Sequence, residues 1–208
     1  IDYEDALAVV AERGAAMADA ADAEPSGMAA LIGATPEAAE QITAQRRADG
    51  GRLYVANINA PGQVVVAGGD VDLQWLDTNA RDLGVRRAIR LNVAGAFHSP
   101  FMEPATERLT VALAGLDVAV GAFEVWSNVT AAPVAAGDVV ELLGRQVVSP
   151  VLFQQTLETM GAQGMDTFIH VGPGEVTAGM AKRTVDDPTV VVVNDADAVE
   201  HLPSLFAE

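Results

Sequence analysis

Apolar positions along the chain fall into alternating helical and extended rhythms. In residues 4–22, Ala6, Leu7, Val10, Ala11, Gly14 and Met17 recur near helical spacing, and Glu24-Pro25-Ser26-Gly27 interrupts the run. Met28 to Ile32 is a short apolar stretch that predicts a strand. Thr35-Pro36-Glu37 starts a helix, with a capping hydroxyl, a proline at the first helical position and an acid in the first turn. That helix is expected to end at Asp49-Gly50-Gly51. Leu53 to Ile58 and Val64 to Ala67 read as strands hairpinned through Ala60-Pro61-Gly62-Gln63, where Pro and Gly stand as a type II turn requires. Asp70 is expected to cap a helix with Leu73, Leu76, Ala80 and Leu83 on one face, closed by Gly84. Val85 to Val93 predicts another strand.

This β-α-β-β-α-β order predicts a ferredoxin-like unit over residues 27–93. Beyond it the alternation continues. Helices are predicted from Ser99-Pro100 to Gly115, over 138–146, over 151–161 and over 175–184. Strands are predicted over 123–127, 167–171 and 189–193. Such alternation indicates an α/β layer with a parallel sheet. These strands alone are few for a sheet, so the small unit is expected to be inserted in a larger α/β domain. Residues 1–26 and 94–208 would be parts of that domain, and its first half would precede Ile1.

Composition narrows the classes. Half of the residues are apolar, enough for a sizeable core. No apolar run approaches the roughly 18 residues of a membrane helix. No cysteine occurs, which excludes disulfides, Cys-based metal sites and a Cys nucleophile and fits a cytoplasmic protein. His98, His170 and His201 are far apart and lack zinc-ligand spacing. The net charge of −17 is unevenly spread: −6 over residues 1–26, zero over 27–92 and −11 over 93–208. That acidity argues against a nucleic-acid partner. The neutral middle, with seven arginines against seven acids, is where an anionic partner would not be repelled.

Four constellations carry candidate chemistry. Gly95-Ala96-Phe97-His98-Ser99-Pro100 delivers an imidazole from a small-residue strand end directly before a helix start, where α/β sheets build their sites. Asn57 and Asn59 alternate on one strand and point to one face, either to bond a ligand or to cap the following turn. Gly172-Pro173-Gly174 lies between a strand and a helix, but Thr177 stands where a dinucleotide fingerprint needs its third glycine. Arg13 sits in an apolar helical segment and needs an anion, whether a neighbouring carboxylate or a ligand. Ser26, Ser99, Ser127, Ser149 and Ser204 are the serines, and none stands in a G-x-S-x-G nucleophile elbow.

Five ordered blocks together resemble the malonyl-CoA:acyl-carrier-protein transacylase family. They are Glu12-Arg13-Gly14 to Met17, Asn57 to Gly62, Gly95 to Pro100, Arg145-Gln146 to Pro150, and Val171-Gly172-Pro173-Gly174. The resemblance implies an α/β-hydrolase-like acyltransferase domain with an inserted ferredoxin-like subdomain. It also implies ping-pong transfer of malonyl from malonyl-CoA through a serine to the phosphopantetheine thiol of acyl carrier protein, in fatty-acid synthesis. That serine, in a G-H-S-x-G elbow, is expected upstream of Ile1. By the same resemblance His98 is the base, and the backbone carbonyl in the Gln146 block orients it, whatever the side chain there. Arg13 forks the malonyl carboxylate. Asn57 and Asn59 border the acyl and pantetheine site, and Phe97 leaves little room for an α-methyl group. No cofactor beyond the substrate is implied, and a cytoplasmic bacterial monomer is expected. An acyltransferase domain of a polyketide synthase and a catalytically silent carrier-protein-binding module are the competing readings. The charge split further predicts that carrier docking draws on Arg46, Arg47, Arg52, Arg86, Arg87 or Arg90.

Overall fold

The computed structural model of the protein describes residues 1–119 and 121–202. Helix α1 (Tyr3–Ala23) opens the chain, and the Asp2 carboxylate caps it by accepting the backbone N–H of Glu4 at 2.8 Å. There follow strand β1 (Ser26–Ile32), helix α2 (Pro36–Ala48), the hairpin β2 (Leu53–Ala60) and β3 (Gln63–Gly69), helix α3 (Asp70–Asn79) and strand β4 (Arg87–Arg90). Thr35 caps α2 through the N–H of Ala38 at 3.2 Å. Gly62 takes φ +72° in the β2–β3 turn, a conformation that disfavours side chains.

The strands form one sheet in the order β2-β3-β1-β4, each neighbouring pair antiparallel. Strands β1 and β2 therefore run in the same direction with β3 between them. One face of the sheet is covered by α2 and α3. There Leu31, Val64, Val66, Leu73 and Leu76 pack in a core drawn from residues 29–85. The opposite face presents Met28, Val65 and Ala67 to a second core, shared with Met17 of α1 and Met102, Leu109 and Leu113 further along the chain.

The remainder begins with a 3-10 turn (Pro100–Met102) running into α4 (Glu103–Leu113), which packs along α1. A short antiparallel pair, β5 (Trp126–Ser127) and β6 (Ala132–Pro133), precedes α5 (Val139–Gln146) and α6 (Phe153–Ala162). Strand β7 (Thr167–Val171), helix α7 (Val176–Thr184) and parallel strand β8 (Thr189–Val193) form a β-α-β unit, followed by α8 (Ala196–His201). Leu157, Met180 and Ala181 close over Ala60 at the end of β2. Val151 stitches the chain before α6 to β2 through two 2.8 Å bonds, one from Ile58 N–H and one to the Ala56 carbonyl.

Several expected elements differ. The strand over 123–127 shrinks to Trp126–Ser127, because only these residues have a ladder partner; Val125 adds one bond, to Val134. The strand over 85–93 shortens to Arg87–Arg90, although Leu91 still donates to the Met28 carbonyl at 2.9 Å. Helix α3 stops at Asn79 and unwinds through Gly84. Asp70 is its first residue, not its cap, and pairs with Arg90 at 3.2 Å. The helix after Ser99 begins as a 3-10 turn and ends at Leu113. In α1 the buried side is Ala16, Met17, Ala20 and Ala21, whereas Leu7 and Val10 are 52% and 64% exposed. Among the described residues the parallel sheet is the β7–β8 pair alone. Strand β6 and helix α8 carry no sequence expectation; each is too short to show a period. Among the described residues no helix is long and apolar enough to cross a membrane.

Candidate active site

The helix face of α1 that carries Arg13, Gly14, Met17 and Ala18 turns toward the side of the sheet opposite α2 and α3. Between them lies a cleft of about 570 Å³. Met28, Val65 and Leu91 form apolar parts of its wall. Into it open Asn57 and Asn59 from β2, and Phe97 and His98 from the segment that follows β4. Residues separated by up to 85 positions in the sequence thus face one space. The two asparagines share the cleft because they alternate along β2, with Ile58 turned to the opposite core. Among the described residues neither side-chain amide caps the β2–β3 turn.

Gln146 lies outside the cleft lining but acts on it. It is the last residue of α5, where helical carbonyls lack an intrahelical partner. Its carbonyl oxygen lies 3.0 Å from Nδ1 of His98. A carbonyl can only accept, so Nδ1 carries the proton and Nε2 keeps its lone pair. The Gln146 side chain donates from Nε2 to the Ser149 carbonyl at 3.2 Å, which holds the turn after α5. The backbone carbonyl thus bonds the ring, while the side-chain amide braces that turn.

His98 has φ +58°, the left-handed region, which costs a residue with a side chain about 1–2 kcal/mol. Burial lowers the pKa of its imidazole below the usual histidine value. The Gln146 carbonyl opposes this by favouring the protonated ring, and the positive charge of Arg13 adds to the lowering. The net effect is a neutral imidazole at pH 7, suited to accept a proton.

Arg13 makes no ion pair among the described residues. Its neighbours Glu12 and Asp19 are both taken by Arg108 of α4. The intramolecular carboxylate that would otherwise explain Arg13 is thus engaged elsewhere, and its guanidinium faces the cleft. The sequence reading missed Met28, Val65 and Leu91 as cleft walls. Their convergence depends on strand register, which apolar runs alone do not specify.

The Gly172-Pro173-Gly174 turn joins β7 to α7, with positive φ at Gly172 and Gly174. His170 at the end of β7 bonds Thr177 through Nδ1 at 2.5 Å and does not line the cleft.

An imidazole tethered to a carbonyl thus shares one cleft with an arginine that has no ion pair among the described residues, over a mixed α/β frame. Residues 1–206 match the family described as "Acyl transferase domain", and the chain belongs to that family. The malonyl CoA-acyl carrier protein transacylase of Bacillus subtilis is 35% identical over 201 residues, covering 96% of this chain and 63% of the relative. The enzyme of the same name from Escherichia coli K12 is 34% identical, covering 96% and 64%. The crystal structure of malonyl CoA-acyl carrier protein transacylase from Clostridium perfringens superposes with a TM-score of 0.91 at 35% identity, over 99% of this chain and 65% of that one. A type II PKS acyl-carrier protein in complex with its malonyl-transacylase gives 0.90 at 30% identity, over 97% and 65%. The chain therefore spans a little under two thirds of the length of these relatives.

The electrostatic link between Arg13 and His98 is testable by proton NMR titration. Replacing Arg13→Met removes a repelling charge, so the protonated ring becomes easier to form and the His98 midpoint rises. An unchanged midpoint would show that the guanidinium does not act on the imidazole.

Proposed function

We propose that these residues are the histidine-bearing, substrate-selecting part of a malonyl-CoA:acyl-carrier-protein transacylase. The observation that carries this reading is the pairing of a carbonyl-oriented His98 with an unpaired Arg13 in one cleft. Arg13 offers a planar fork to the free carboxylate of a malonyl thioester. Asn57 and Asn59 offer amides along the acyl and pantetheine arm, and Phe97 limits substitution at the carbon between the two carbonyls.

In this scheme a serine hydroxyl attacks the thioester carbon while His98 Nε2 takes its proton. The carbon–sulfur bond breaks, and the CoA thiolate receives that proton. In the second half the carrier's thiol gives its proton to Nε2 and attacks the acyl-serine ester. The serine oxygen leaves with the proton returned by His98. Ser26, Ser99, Ser127 and Ser149 do not line the cleft and no serine of the sequence stands in a G-x-S-x-G elbow, so the scheme requires a serine that the described cleft lining does not supply. The chemistry needs no metal or redox group.

The same reading divides the chain into residues 27–93 as a ferredoxin-like subdomain and residues 1–26 and 94–208 as parts of an α/β-hydrolase-like domain. The β2-β3-β1-β4 order and a core whose buried members all fall within residues 29–85 support it. The partner is acyl carrier protein. Arg46, Arg47, Arg52 and Arg90 are already paired with Asp72, Glu40, Glu24 and Asp70, whereas Arg86 and Arg87 make no ion pair among the described residues. Arg87 sits level with Ile32 and Gln63 across the sheet, and Gln63 accepts from Arg183 at 2.5 Å. Arg87 therefore lies at the same end of the sheet as Arg183. It is about 13 Å along the chain from Leu91 at the cleft wall.

In the full-length protein, Arg13→Lys keeps the charge and loses the fork. Malonyl transfer should fall roughly 10- to 150-fold, equivalent to about 1.5–3 kcal/mol, with little change toward an uncharged acetyl thioester. Equal loss toward both substrates would sink the carboxylate assignment. Charge reversal at Arg86 and Arg87 should raise the carrier-protein KM, with the effect shrinking as salt increases. An unchanged KM at low salt would exclude that end of the sheet as the docking face.

A further inference from the structure

The segment carrying His98 is held by contacts that the acyl-transfer scheme does not use. Ala96, two residues before the imidazole, has 0% exposure, and both of its backbone polar groups are held by serine hydroxyls. Its N–H donates to Oγ of Ser26 at 3.2 Å, and its carbonyl accepts from Oγ of Ser99 at 2.5 Å. Ser26 is the first residue of β1, seventy positions earlier in the chain. Ser99 is 1% exposed. On the preceding residue a side chain is sterically excluded, because a Cβ on Gly95 would lie 2.6 Å from the Ala21 Cβ of α1.

Helix capping alone explains Ser99 poorly. The Phe101 N–H reaches its Oγ at 3.4 Å, long for a hydrogen bond, whereas its own donation to Ala96 is short. A left-handed residue with a side chain persists only where its surroundings over-determine it. Here the turn is fixed from α1 through Gly95, from β1 through Ser26 and from the 3-10 turn through Ser99.

We propose that Ser26 and Ser99 are positioning residues for His98: their hydroxyls clamp the Ala96 backbone through its N–H and its C=O, and the clamp holds the imidazole in the left-handed turn that brings Nδ1 to the Gln146 carbonyl. The inference takes His98 as the working histidine of the proposed transfer, but the clamp itself is a statement about geometry and is tested without turnover. Ser26 acts by accepting and Ser99 by donating, so the two substitutions remove different bonds, on the two peptide groups that flank the Ala96 Cα. Since Ser26 begins β1, the clamp also ties the four-stranded sheet, which supplies Asn57 and Asn59, to the loop that supplies His98.

The experiment compares Ser26→Ala, Ser99→Ala and Ser127→Ala in the full-length protein. Ser127 is a control, a nearly buried serine whose Oγ accepts from Val129 at 3.1 Å away from the cleft. Each protein is melted, and its His98 imidazole is titrated by NMR. All three variants are expected to lose stability. Only Ser26→Ala and Ser99→Ala should move the His98 midpoint upward, toward the ordinary value near 6.5, as the freed ring reaches water. A lower Tm with the His98 midpoint unmoved in both variants would reduce the serines to packing and overturn the proposal. If Ser99→Ala does not fold, the half-buried Ser26→Ala decides by the same reading. In a full-length protein that turns over, Ser26→Ala should lower kcat and leave the KM for malonyl-CoA unchanged, since Arg13 is untouched. Failure of malonyl transfer in the parent protein would leave the titration result standing, so the two claims fail separately.

Discussion

Gln146 presents a backbone carbonyl to Nδ1 of His98 at 3.0 Å, and a carbonyl can only accept a hydrogen bond. That restriction decides which ring nitrogen holds the proton, and so which one is free to face a reacting group. The carbonyl is available because α5 ends at Gln146 and the chain turns away, its next two N–H groups bonding back to Gly144 and Arg145. The rest of the site is arranged around the consequence. The imidazole must be brought to a helix terminus from the loop that follows β4, and His98 takes a left-handed conformation there. That turn must be held, and Gly95 against Ala21 together with the bonds at Ala96 hold it.

Charge placement follows the same logic. The described chain pairs most of its arginines internally, often beside an aromatic ring, as with Arg46 over Trp75 and Arg52 over Phe101. Arg13 stands outside this pairing among the described residues, and Glu12 and Asp19 of the same helix are held by Arg108. A half-buried guanidinium with an apolar wall beside it is a poor place for water and a good place for a carboxylate. The same positive charge disfavours imidazolium at His98, so the group that would select the substrate also helps keep the base neutral. An anionic substrate on Arg13 would offset part of that effect while it is bound.

Much of this was legible in the sequence, for identifiable reasons. The order of elements over residues 27–93 was written in turn chemistry: Thr35-Pro36 and Pro61-Gly62 each fix a boundary through the local backbone. His98 stood out because small residues precede it and Ser99-Pro100 follow, and Asn57 and Asn59 because alternation sends both to one face. What could not be read depends on non-local partners. The strand predicted at 123–127 has the composition of a strand but a ladder only at its last two residues. Leu7 and Val10 have helical spacing, yet the buried side of α1 is set by where α4 lies. Ser26 and Ser99 looked like a loop residue and a helix start; their meeting at Ala96 required the fold.

The account rests on the protonation of one ring nitrogen, and nitrogen-15 NMR of the imidazoles reads it directly. At neutral pH, above the lowered His98 midpoint, the account predicts that Nδ1 is the protonated nitrogen and Nε2 the bare one. A ring protonated at Nε2 would mean that the Gln146 carbonyl does not hold the imidazole, and both the base assignment and the positioning argument would fall with it.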